Sequence, residues 1–509
     1  MANGAGSAIL PVNFTLHYRQ QEVSLSQRSI RKVLVANRGV PAVRIMHTCR
    51  DRKIPTTAVY STPDRLAYHV FMADTAIHIG EAPPVESYLN GDRIIEAALS
   101  SDSNAIHPGW GFLAENADFA QKVIDAGLIW IGPTPEVINL MGDKIRAKEI
   151  ARQSNVPTVP GVENVTSAEQ ISDWMRDQGV TFPIMIKAAS GGGGKGMVKV
   201  DKLDQIAGAL AQARSEAKKS FGDDTVLVEK YIEHGRHIEV QIIADEHRHV
   251  IHLFERECTL QRRNQKIIEE APSTLENDLR QEICVTAARL MRRIGYTSAG
   301  TVEFIFDPST QSFYFLEVNT RLQVEHGITE LITGLDIVSL MLDVAEGKPL
   351  PIKQLDVVPN RWALEVRLNA EDPKTFGPSF GTITRLRAPL GPNVRVLQGA
   401  TEGEDIPPYY DSLFMLLMAS GTDRADALRV MDRAITGDLR VEGIKTLAPL
   451  LLSIIRHRKF ITGDFSTKFI EQHMPELVSG FLERTSEDEM LRVARYVAEI
   501  SALGPQSWM

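Results

Sequence analysis

Short apolar runs alternate with helical patterns in the first third of the chain. Residues 33–35 form a short apolar run, typical of a strand, that leads into a glycine turn, and apolar positions recur at helical spacing from Ala42 to Arg52. A second apolar run follows at residues 56–60. A strand, a helix and a strand at this spacing are typical of a parallel βαβ unit, so the pattern predicts a Rossmann-like domain over residues 29–142.

The pattern changes after residue 160. Short apolar runs there surround a glycine cluster and a helix from Leu203 to Lys219, which predicts a small α+β unit. From Ile238 the strands are longer and antiparallel in style, with helices at 277–294 and 335–346. The predicted segments are a disordered arm at 1–28, the Rossmann-like domain at 29–142, a linker helix at 143–159, a small unit at 160–231, a large domain at 232–478 and a helical tail at 479–509, which either packs on the domain or docks a partner.

Composition narrows the class of protein. Of the 509 residues 43% are hydrophobic and 24% are charged, which excludes a disordered, collagen-like or coiled-coil chain. The formal net charge of −9 disfavours nucleic acid as a partner. The longest apolar stretch, about ten residues near 446–455, is shorter than the roughly 20 that span a bilayer. The three cysteines are widely separated, which indicates a reducing compartment, and no secretory signal opens the chain. We therefore expect a cytoplasmic protein, with the mitochondrial matrix as the less favoured location.

A glycine cluster between two lysines is the most informative local feature. Lys187 precedes it, and Gly191–Gly194 is followed by Lys195 and Gly196. Glycines let backbone N–H groups approach an anion closely, and lysines add positive charge, so the segment predicts a cradle for nucleotide phosphates. It matches neither the Walker nor the Rossmann spacing. A flexible loop without a ligand is the alternative.

Two carboxylates and an amide occupy the ends of neighbouring predicted strands. Glu303 ends one run, and Glu317 and Asn319 end the next. Oxygen ligands of this kind suit Mg²⁺, with nucleotide phosphates completing its shell. Solvated acids at strand ends are the alternative.

The next segment adds donors and a base. At strand alternation Arg321, Gln323 and Glu325 face one side, which suits a small planar anion beside the metal; a salt-bridged surface strand is the alternative. Residues 262–266 carry three cations, which form either a solvated loop or a clamp on phosphate charge.

Together these residues resemble the biotin carboxylase family of the ATP-grasp superfamily. The resemblance runs from Val33 to about Met474 and rests on motifs in the family's order, at 35–39, 107–116, 141–144, 187–197, 229–232, 236–239, 261–263, 317–326, 369–373 and 409–412. It implies an ATP-grasp fold of mixed α/β and α+β class, with a Rossmann-like (pre-ATP-grasp) domain, a small mobile lid at 160–231 and a C-terminal biotin carboxylase domain.

The resemblance implies a role for each matching residue. The ATP-binding residues would be Lys144 and Lys187 on the phosphates, Gly193 and Gly194 in the lid loop, Glu229, Lys230, Tyr231 and Ile232 around adenine, His237 and Gln261 near the ribose, Asn264, and Glu303 and Glu317. The metal ligands for Mg²⁺ or Mn²⁺ would be Glu303, Glu317 and Asn319. Bicarbonate would be bound by Lys266, Arg321, Gln323 and Val324, and biotin by Arg367 and Trp110. Glu325 would be the general base. The catalytic residues would be Lys266, Arg321, Glu325 and Arg367.

The function implied is ATP-dependent carboxylation of biotin by bicarbonate, through carboxyphosphate. The chain shows no biotin-acceptor segment of the Ala-Met-Lys-Met type, so we expect biotin on a separate carrier protein, carboxyltransferase subunits as partners, and a homodimer or larger hetero-oligomer. A nucleotide-binding subunit without catalysis and another ATP-grasp ligase, joining a carboxylate to an amine, are the alternatives.

Six positions depart from the family's usual pattern. Val40-Pro41 replaces Glu-Ile, Trp110 a frequent Tyr, Asn264 the commonest His, Gly327 a Pro and Leu416 a Lys. The expected metal, bicarbonate and base residues are all present, so we expect an active enzyme.

Overall fold

The computed structural model describes residues 28–189 and 197–479. The lid-loop residues Gly193 and Gly194 lie outside the described residues. The same holds for the predicted arm, except Arg28, and for the predicted tail, except Ser479.

The first part of the chain folds into a parallel sheet covered by helices. Its strands are β1 (Val33–Val35), β2 (Thr56–Ser61), β3 (Thr75–Gly80), β4 (Ala105–His107) and β5 (Ile129–Trp130), in the order β3-β2-β1-β4-β5. Its helices are α1 (Gly39–Asp51), α2 (Tyr68–Met72), α3 (Gly91–Ser100), α4 (Ala117–Asp125) and α5 (Pro135–Gly142). The central strand β1 is fully buried, as a parallel strand covered on both faces must be, and the predicted Rossmann-like topology is confirmed.

A second, smaller sheet follows helix α6 (Lys144–Gln153). It consists of β6 (Gly161–Val162), β7 (Ile184–Ala188), β8 (Met197–Val200) and β9 (Val226–Lys230), with helices α7 (Ala168–Gln178) and α8 (Ile206–Phe221). The order β6-β9-β7-β8 is antiparallel throughout. Ile184, Ile186, Val226 and Val228 alternate along β7 and β9 and form one core with the two helices, so the opposite face is free for polar side chains.

The large sheet is built from long antiparallel strands. In the order β14-β13-β10-β11-β12-β15-β20-β18 they are Ser312–Asn319, Ser298–Asp307, Arg236–Ala244, Val250–Arg262, Gln265–Ala271, Trp362–Asn369, Leu413–Gly421 and Val394–Gln398. The helices of this part are α9 (Asn277–Arg293), α10 (His326–Thr333), α11 (Ile337–Ala345), α12 (Arg424–Arg433), α13 (Ala448–Ile455) and α14 (Arg458–Thr462). Two short ribbons pair β16 (Gly381–Thr382) with β19 (Asp405–Ile406) and β17 (Arg385–Arg387) with β21 (Arg440–Glu442).

Period-two alternation decides what each face of this sheet carries. On β13, Val302, Phe304 and Phe306 join the hydrophobic core that includes residues of α9, while the intervening Thr301 and Glu303 point to the opposite face. Strand β10 behaves in the same way, because Ile238, Val240 and Ile242 enter that core. Its intervening residues, among them Glu239, are buried and polar. One face of the sheet is therefore a charged layer.

A β-bulge between β11 and β12 brings charged side chains of β12 onto this charged layer. The pairing of β12 with β11 shifts between Lys266 and Ile268, since Lys266 lies opposite Gln261 while Ile268 lies opposite Leu260. The extra residue lets Lys266 and Glu269 contact side chains on the same face although they are an odd number of positions apart.

No helix within the described residues is long and apolar enough to cross a membrane.

Two glycines test this packing with the same chemical change. Gly300 on β13 faces the buried Tyr296 ring, and an added Cβ would lie 2.3 Å from the tyrosine oxygen. Gly208 on α8 is exposed, and its Cβ would meet nothing within 4 Å. We expect Gly300→Ala to lower the free energy of unfolding by about 1–3 kcal/mol through overpacking, and Gly208→Ala to raise it by about 0.5 kcal/mol. Scanning calorimetry measures both; equal melting temperatures for the two variants would contradict the packing described.

Candidate active site

A cavity of about 1100 Å³ lies between the three parts of the chain. It brings together all the expected site residues in the described part except Glu325. Those that line it are Trp110, Lys144, Lys187, Glu229, Lys230, Tyr231, Ile232, His237, Gln261, Asn264, Lys266, Glu303, Glu317, Asn319, Arg321, Gln323, Val324 and Arg367.

Lys266 is the centre of the charged layer. Its Nζ lies 2.9 Å from Glu303 Oε1 and 2.6 Å from Glu325 Oε1, and it also pairs with Glu239. Burial opposes the charge, but the three carboxylates raise the pKa of Lys266 well above its ordinary value. Lys266 is therefore a fixed cation on the floor of the cavity.

Glu325 contacts two cations, Lys266 and Arg367. It precedes α10, is fully buried, and accepts from Arg367 Nη2 at 2.8 Å through its second oxygen. Burial and the Glu239 carboxylate favour the neutral form, but Lys266, Arg367 and Arg256 outweigh them and lower the pKa of Glu325. Glu325 is therefore held as a carboxylate, and it contacts Lys266, which lines the cavity.

A second carboxylate holds Arg367. The Nε of Arg367 donates to Glu269 Oε1 at 2.6 Å. Glu365 lies directly opposite Glu269 on the neighbouring strand, and neither of its oxygens has a hydrogen-bond partner among the described residues. Burial raises the pKa of Glu269 to about 7 and the pKa of Glu365 well above the ordinary value. Neighbouring carboxylates raise these pKa values further, because like charges opposite each other repel.

The expected strand from Arg321 to Glu325 is wrong. Strand β14 ends at Asn319, because the next backbone N–H, that of Thr320, donates to Glu115 Oε1 at 3.2 Å and not to a neighbouring strand. The segment is instead a loop that leads into α10. Arg321 Nη1 still donates to Gln323 Oε1 at 3.1 Å, so the loop brings the two side chains together without strand alternation.

This loop fits a small anion. Arg321 Nε donates to Glu115 Oε2 at 2.8 Å, which fixes the guanidinium at the cavity wall. Gln323 is buried, and its Nε2 has no hydrogen-bond partner among the described residues. An unpaired buried donor beside a guanidinium and the Lys266 ammonium is the arrangement that an anionic ligand would satisfy.

The expected metal ligands lie together. Glu303 and Glu317 are directly opposite on β13 and β14, and Asn319 Nδ2 donates to Glu303 Oε1 at 2.8 Å. Burial and the Glu303 charge raise the pKa of Glu317. Two opposed carboxylates repel, and a divalent cation between them would remove that cost, so these donors fit Mg²⁺ or Mn²⁺.

His237 lies beside this pair. Its Nε2 lies 3.2 Å from Glu303 Oε2, and Gln261 Nε2 lies 3.0 Å from its Nδ1. Burial lowers the pKa of His237, but Glu303 and Glu239 outweigh it and raise the pKa to about 9.

The lysines expected at phosphates come from two different elements. Lys144 is the first residue of α6, a helix capped by Asp143 through Ile145 N at 3.0 Å and Arg146 N at 3.1 Å. Lys187 on β7 pairs with Glu229 at 2.5 Å. Burial and the Lys144 charge lower the pKa of Lys187 to about 8. Both amines face the cavity, where an anion would relieve their repulsion.

Several residues of the site were missed from the sequence. Glu239 had a signal, because it lies two positions after His237 on a strand, and so did Lys148, four positions after Lys144 on a helix. For others the sequence gives no signal of the contact they make, because the fold brings the partners together from distant segments. These are Glu115 on Arg321, Glu269 on Arg367, and Lys468, whose Nζ lies 5.8 Å from the centre of the Tyr231 ring.

Comparison with known proteins decides the family. Three family models match in succession: the biotin carboxylase N-terminal domain at residues 29–138, the carbamoyl-phosphate synthase L chain ATP-binding domain at 143–353 and the biotin carboxylase C-terminal domain at 365–472. Biotin carboxylase 2 of Bacillus subtilis is 45% identical over 87% of this chain and 99% of its own length. The chain belongs to the biotin carboxylase family.

Two further relatives extend the comparison. The mitochondrial propionyl-CoA carboxylase alpha chain of Mus musculus is 43% identical over 95% of this chain and 67% of its own length. The biotin carboxylase domain of Hydrogenobacter thermophilus 2-oxoglutarate carboxylase, solved as a dimer with MgADP, ADP and bicarbonate, is 42% identical with a TM-score of 0.84, covering 88% of this chain and 99% of that one. The predicted ATP-grasp fold and the activity, ATP-dependent carboxylation of biotin, are thereby confirmed.

The departures from the biotin carboxylase pattern have local reasons. Arg263 and Asn264 form a two-residue hairpin turn with φ values of 49° and 64°, and asparagine tolerates this left-handed conformation well. Val40 is buried against Gly399, where a Cβ would lie 2.6 Å from Val40 Cγ2. Leu416 is fully buried in the hydrophobic core, where a lysine would lose its hydration. Trp110 remains in the cavity wall, with its ring 5.8 Å from that of His326.

Gly327 has a particular partner. A Cβ there would lie 2.5 Å from Met418 Sδ, and Met418 is fully buried. The proline usual in biotin carboxylases therefore has no room beside this methionine.

We expect Gly327→Pro to lower the free energy of unfolding by about 1–3 kcal/mol, because the ring overpacks the site. Met418→Val should make room, so the double variant should lose less stability than the sum of the two single variants, by about 0.5 kcal/mol or more. Chemical denaturation of the four proteins measures this coupling. Strictly additive losses would show that Met418 does not exclude the proline.

Proposed function

We propose that this chain carboxylates biotin carried on a separate protein, with Glu325 as the general base. The observation that carries the proposal is the ionised, buried Glu325 carboxylate held between Lys266 at 2.6 Å and Arg367 at 2.8 Å. A base must be deprotonated before the reaction, and two adjacent cations keep it so.

Bicarbonate would bind between Arg321, Gln323, Val324 and Lys266. Glu325 takes its proton, and a bicarbonate oxygen then attacks the γ-phosphorus of ATP while the bond to the ADP oxygen breaks, which yields carboxyphosphate and ADP. Glu303, Glu317 and Asn319 would hold Mg²⁺ or Mn²⁺, which neutralises phosphate charge when bound. Lys266 donates to both Glu325 and Glu303, so it would lie beside the bicarbonate and the metal ligands.

The second half of the reaction would take place in the same part of the cavity, beside Arg367. Carboxyphosphate breaks down to CO₂ and phosphate, and the phosphate takes the N1′ proton of biotin. The N1′ nitrogen then bonds to CO₂, which gives carboxybiotin. Arg367 would stabilise the enolate oxygen of the deprotonated ring, and Trp110 would form a wall of the biotin pocket.

The nucleotide would occupy the other end of the cavity. Lys144 and Lys187 would bind its phosphates. The base would lie against residues 229–232, the ribose near His237 and Gln261, and Asn264 would supply a further contact at the hairpin tip. Covering by the small unit at 160–231 would exclude water from carboxyphosphate.

Partners follow from this chemistry. Biotin would arrive on a carrier protein, and a carboxyltransferase subunit would use the carboxybiotin. A relative of this chain was solved as a dimer and others are subunits or domains of larger carboxylases, which supports a homodimer or a hetero-oligomer.

Glu325→Gln tests the base directly. The amide keeps the shape but cannot accept the bicarbonate proton, so we expect bicarbonate-dependent ATP cleavage with free biotin to fall about 10²–10⁴-fold. Nucleotide binding, followed by calorimetry, should persist. Unchanged ATP cleavage in this variant, or wild-type cleavage that ignores bicarbonate, would contradict the proposal and favour a nucleotide-binding subunit without catalysis.

Arg367→Gln tests how the base is tuned. The wild-type pKa of Glu325 is lowered in part by Arg367, so activity is present above that pKa and is lost as the pH falls through it. Without Arg367 the pKa rises, and the acidic limb of the kcat/KM profile should move to higher pH, each profile being scaled to its own maximum. Arg361→Gln on the exposed surface serves as the matched control and should leave the limb in place. An unmoved limb in Arg367→Gln would contradict the assignment.

A further inference from the structure

A buried lysine on α6 has no part in the chemistry described so far. Lys148 is 4% exposed, and its Nζ pairs with Glu229 Oε1. The other oxygen of that carboxylate, Oε2, pairs with Lys187 Nζ at 2.5 Å. Glu229 therefore lies between two lysines, one of which is expected at nucleotide phosphates.

Glu229 is fixed in place. Its strand β9 is paired on both sides, with Glu229 opposite Gly161 of β6 and Met185 of β7. A Cβ on Gly161 would lie 3.1 Å from Glu229 Cγ, so the carboxylate is packed closely from that side as well. At 2% exposure it has little access to water. An ionised carboxylate in this position needs a cation whether or not nucleotide is bound.

Binding of nucleotide changes the demand on Lys187. An ammonium that moves toward a phosphate weakens its contact with Glu229. If Lys187 were the sole counter-ion, each gain at the phosphate would leave a buried carboxylate unpaired, which is costly. A second lysine on the opposite oxygen removes this conflict.

We propose that Lys148 is a positioning residue that serves as the standing counter-ion of Glu229, so that Lys187 is free to engage the nucleotide phosphates. The inference rests on the phosphate-binding role of Lys187 in the proposed function. Lys148 acts through Glu229 and Lys187 and not by touching the nucleotide itself.

The test compares four proteins for binding of ATP, measured by calorimetry with Mg²⁺ present: the wild type, Lys148→Met, Glu229→Gln and the double variant Lys148→Met/Glu229→Gln. In Lys148→Met the carboxylate retains Lys187, so ATP affinity should fall about tenfold or more. In the double variant the buried charge is gone and the demand on Lys187 with it, so affinity should return to within about threefold of Glu229→Gln alone. Lys148→Arg should rescue binding, since burial and the Lys187 charge lower the pKa of Lys148 to about 6 and an arginine keeps its positive charge at such a site.

Kinetics separate a positioning role from a general loss of structure. Lys148→Met should raise the KM for ATP while the KM for bicarbonate stays within about threefold of the wild type, because the bicarbonate residues lie on β12 and in the loop before α10 and not in the small sheet that holds Glu229. Wild-type affinity in Lys148→Met would overturn the inference. A double variant that binds ATP more than about threefold more weakly than Glu229→Gln alone would overturn it too, by showing that Lys148 acts on the nucleotide and not through Glu229.

Two controls keep this inference distinct from the proposed function. Lys187→Met should itself weaken ATP binding; if it does not, the phosphate role of Lys187 fails and the inference fails with it. Wild-type ATP cleavage that ignores bicarbonate would refute the proposed function, while the binding titrations would still decide the role of Lys148.

Discussion

The contact between Lys266 and three carboxylates is the constraint on which the site depends. Glu239, Glu303 and Glu325 come from a central strand, its neighbour and a loop, and each would repel the others without the ammonium between them. Because Glu239, Glu303 and Lys266 lie on the charged face of one sheet, their positions follow from strand pairing and not from flexible surface side chains, and Glu325 reaches them from the start of α10. The opposite face of the same strands is packed with apolar residues, which fixes the register that brings the charges together.

A charged layer of this kind is not a source of stability. Burying charges costs free energy that their mutual attraction barely repays, and well-packed apolar residues would do as well or better. The arrangement persists because it sets ionisation states. Glu325 is held ionised by Lys266 and Arg367, whereas Glu365, with no hydrogen-bond partner among the described residues, has a raised pKa. Neighbouring carboxyls thus differ in charge because their partners differ.

The sequence predicted the order of the elements and 18 of the residues that line the cavity, and it failed where tertiary contacts decide. Apolar periodicity placed α9 within a residue, at Asn277–Arg293, because packing against one face of a sheet imposes that period. The strand assigned to Arg321–Glu325 was wrong because alternation of polar residues does not reveal that Glu115 captures the backbone at Thr320. Glu115 and Lys468 were missed for the same reason, since they approach the site from segments far away in the chain.

Three of the cations that face the cavity are already paired with acids. Arg321 contacts Glu115, Arg367 contacts Glu269, and Lys187 contacts Glu229. An anionic substrate therefore exchanges partners with a resident carboxylate and does not simply fill an open positive site. The net cost of binding is then set by what becomes of the carboxylate left behind. Where that acid is half exposed, as Glu115 is, water can solvate it; where it is buried, as Glu229 is, a second cation must remain, which is the position that Lys148 occupies.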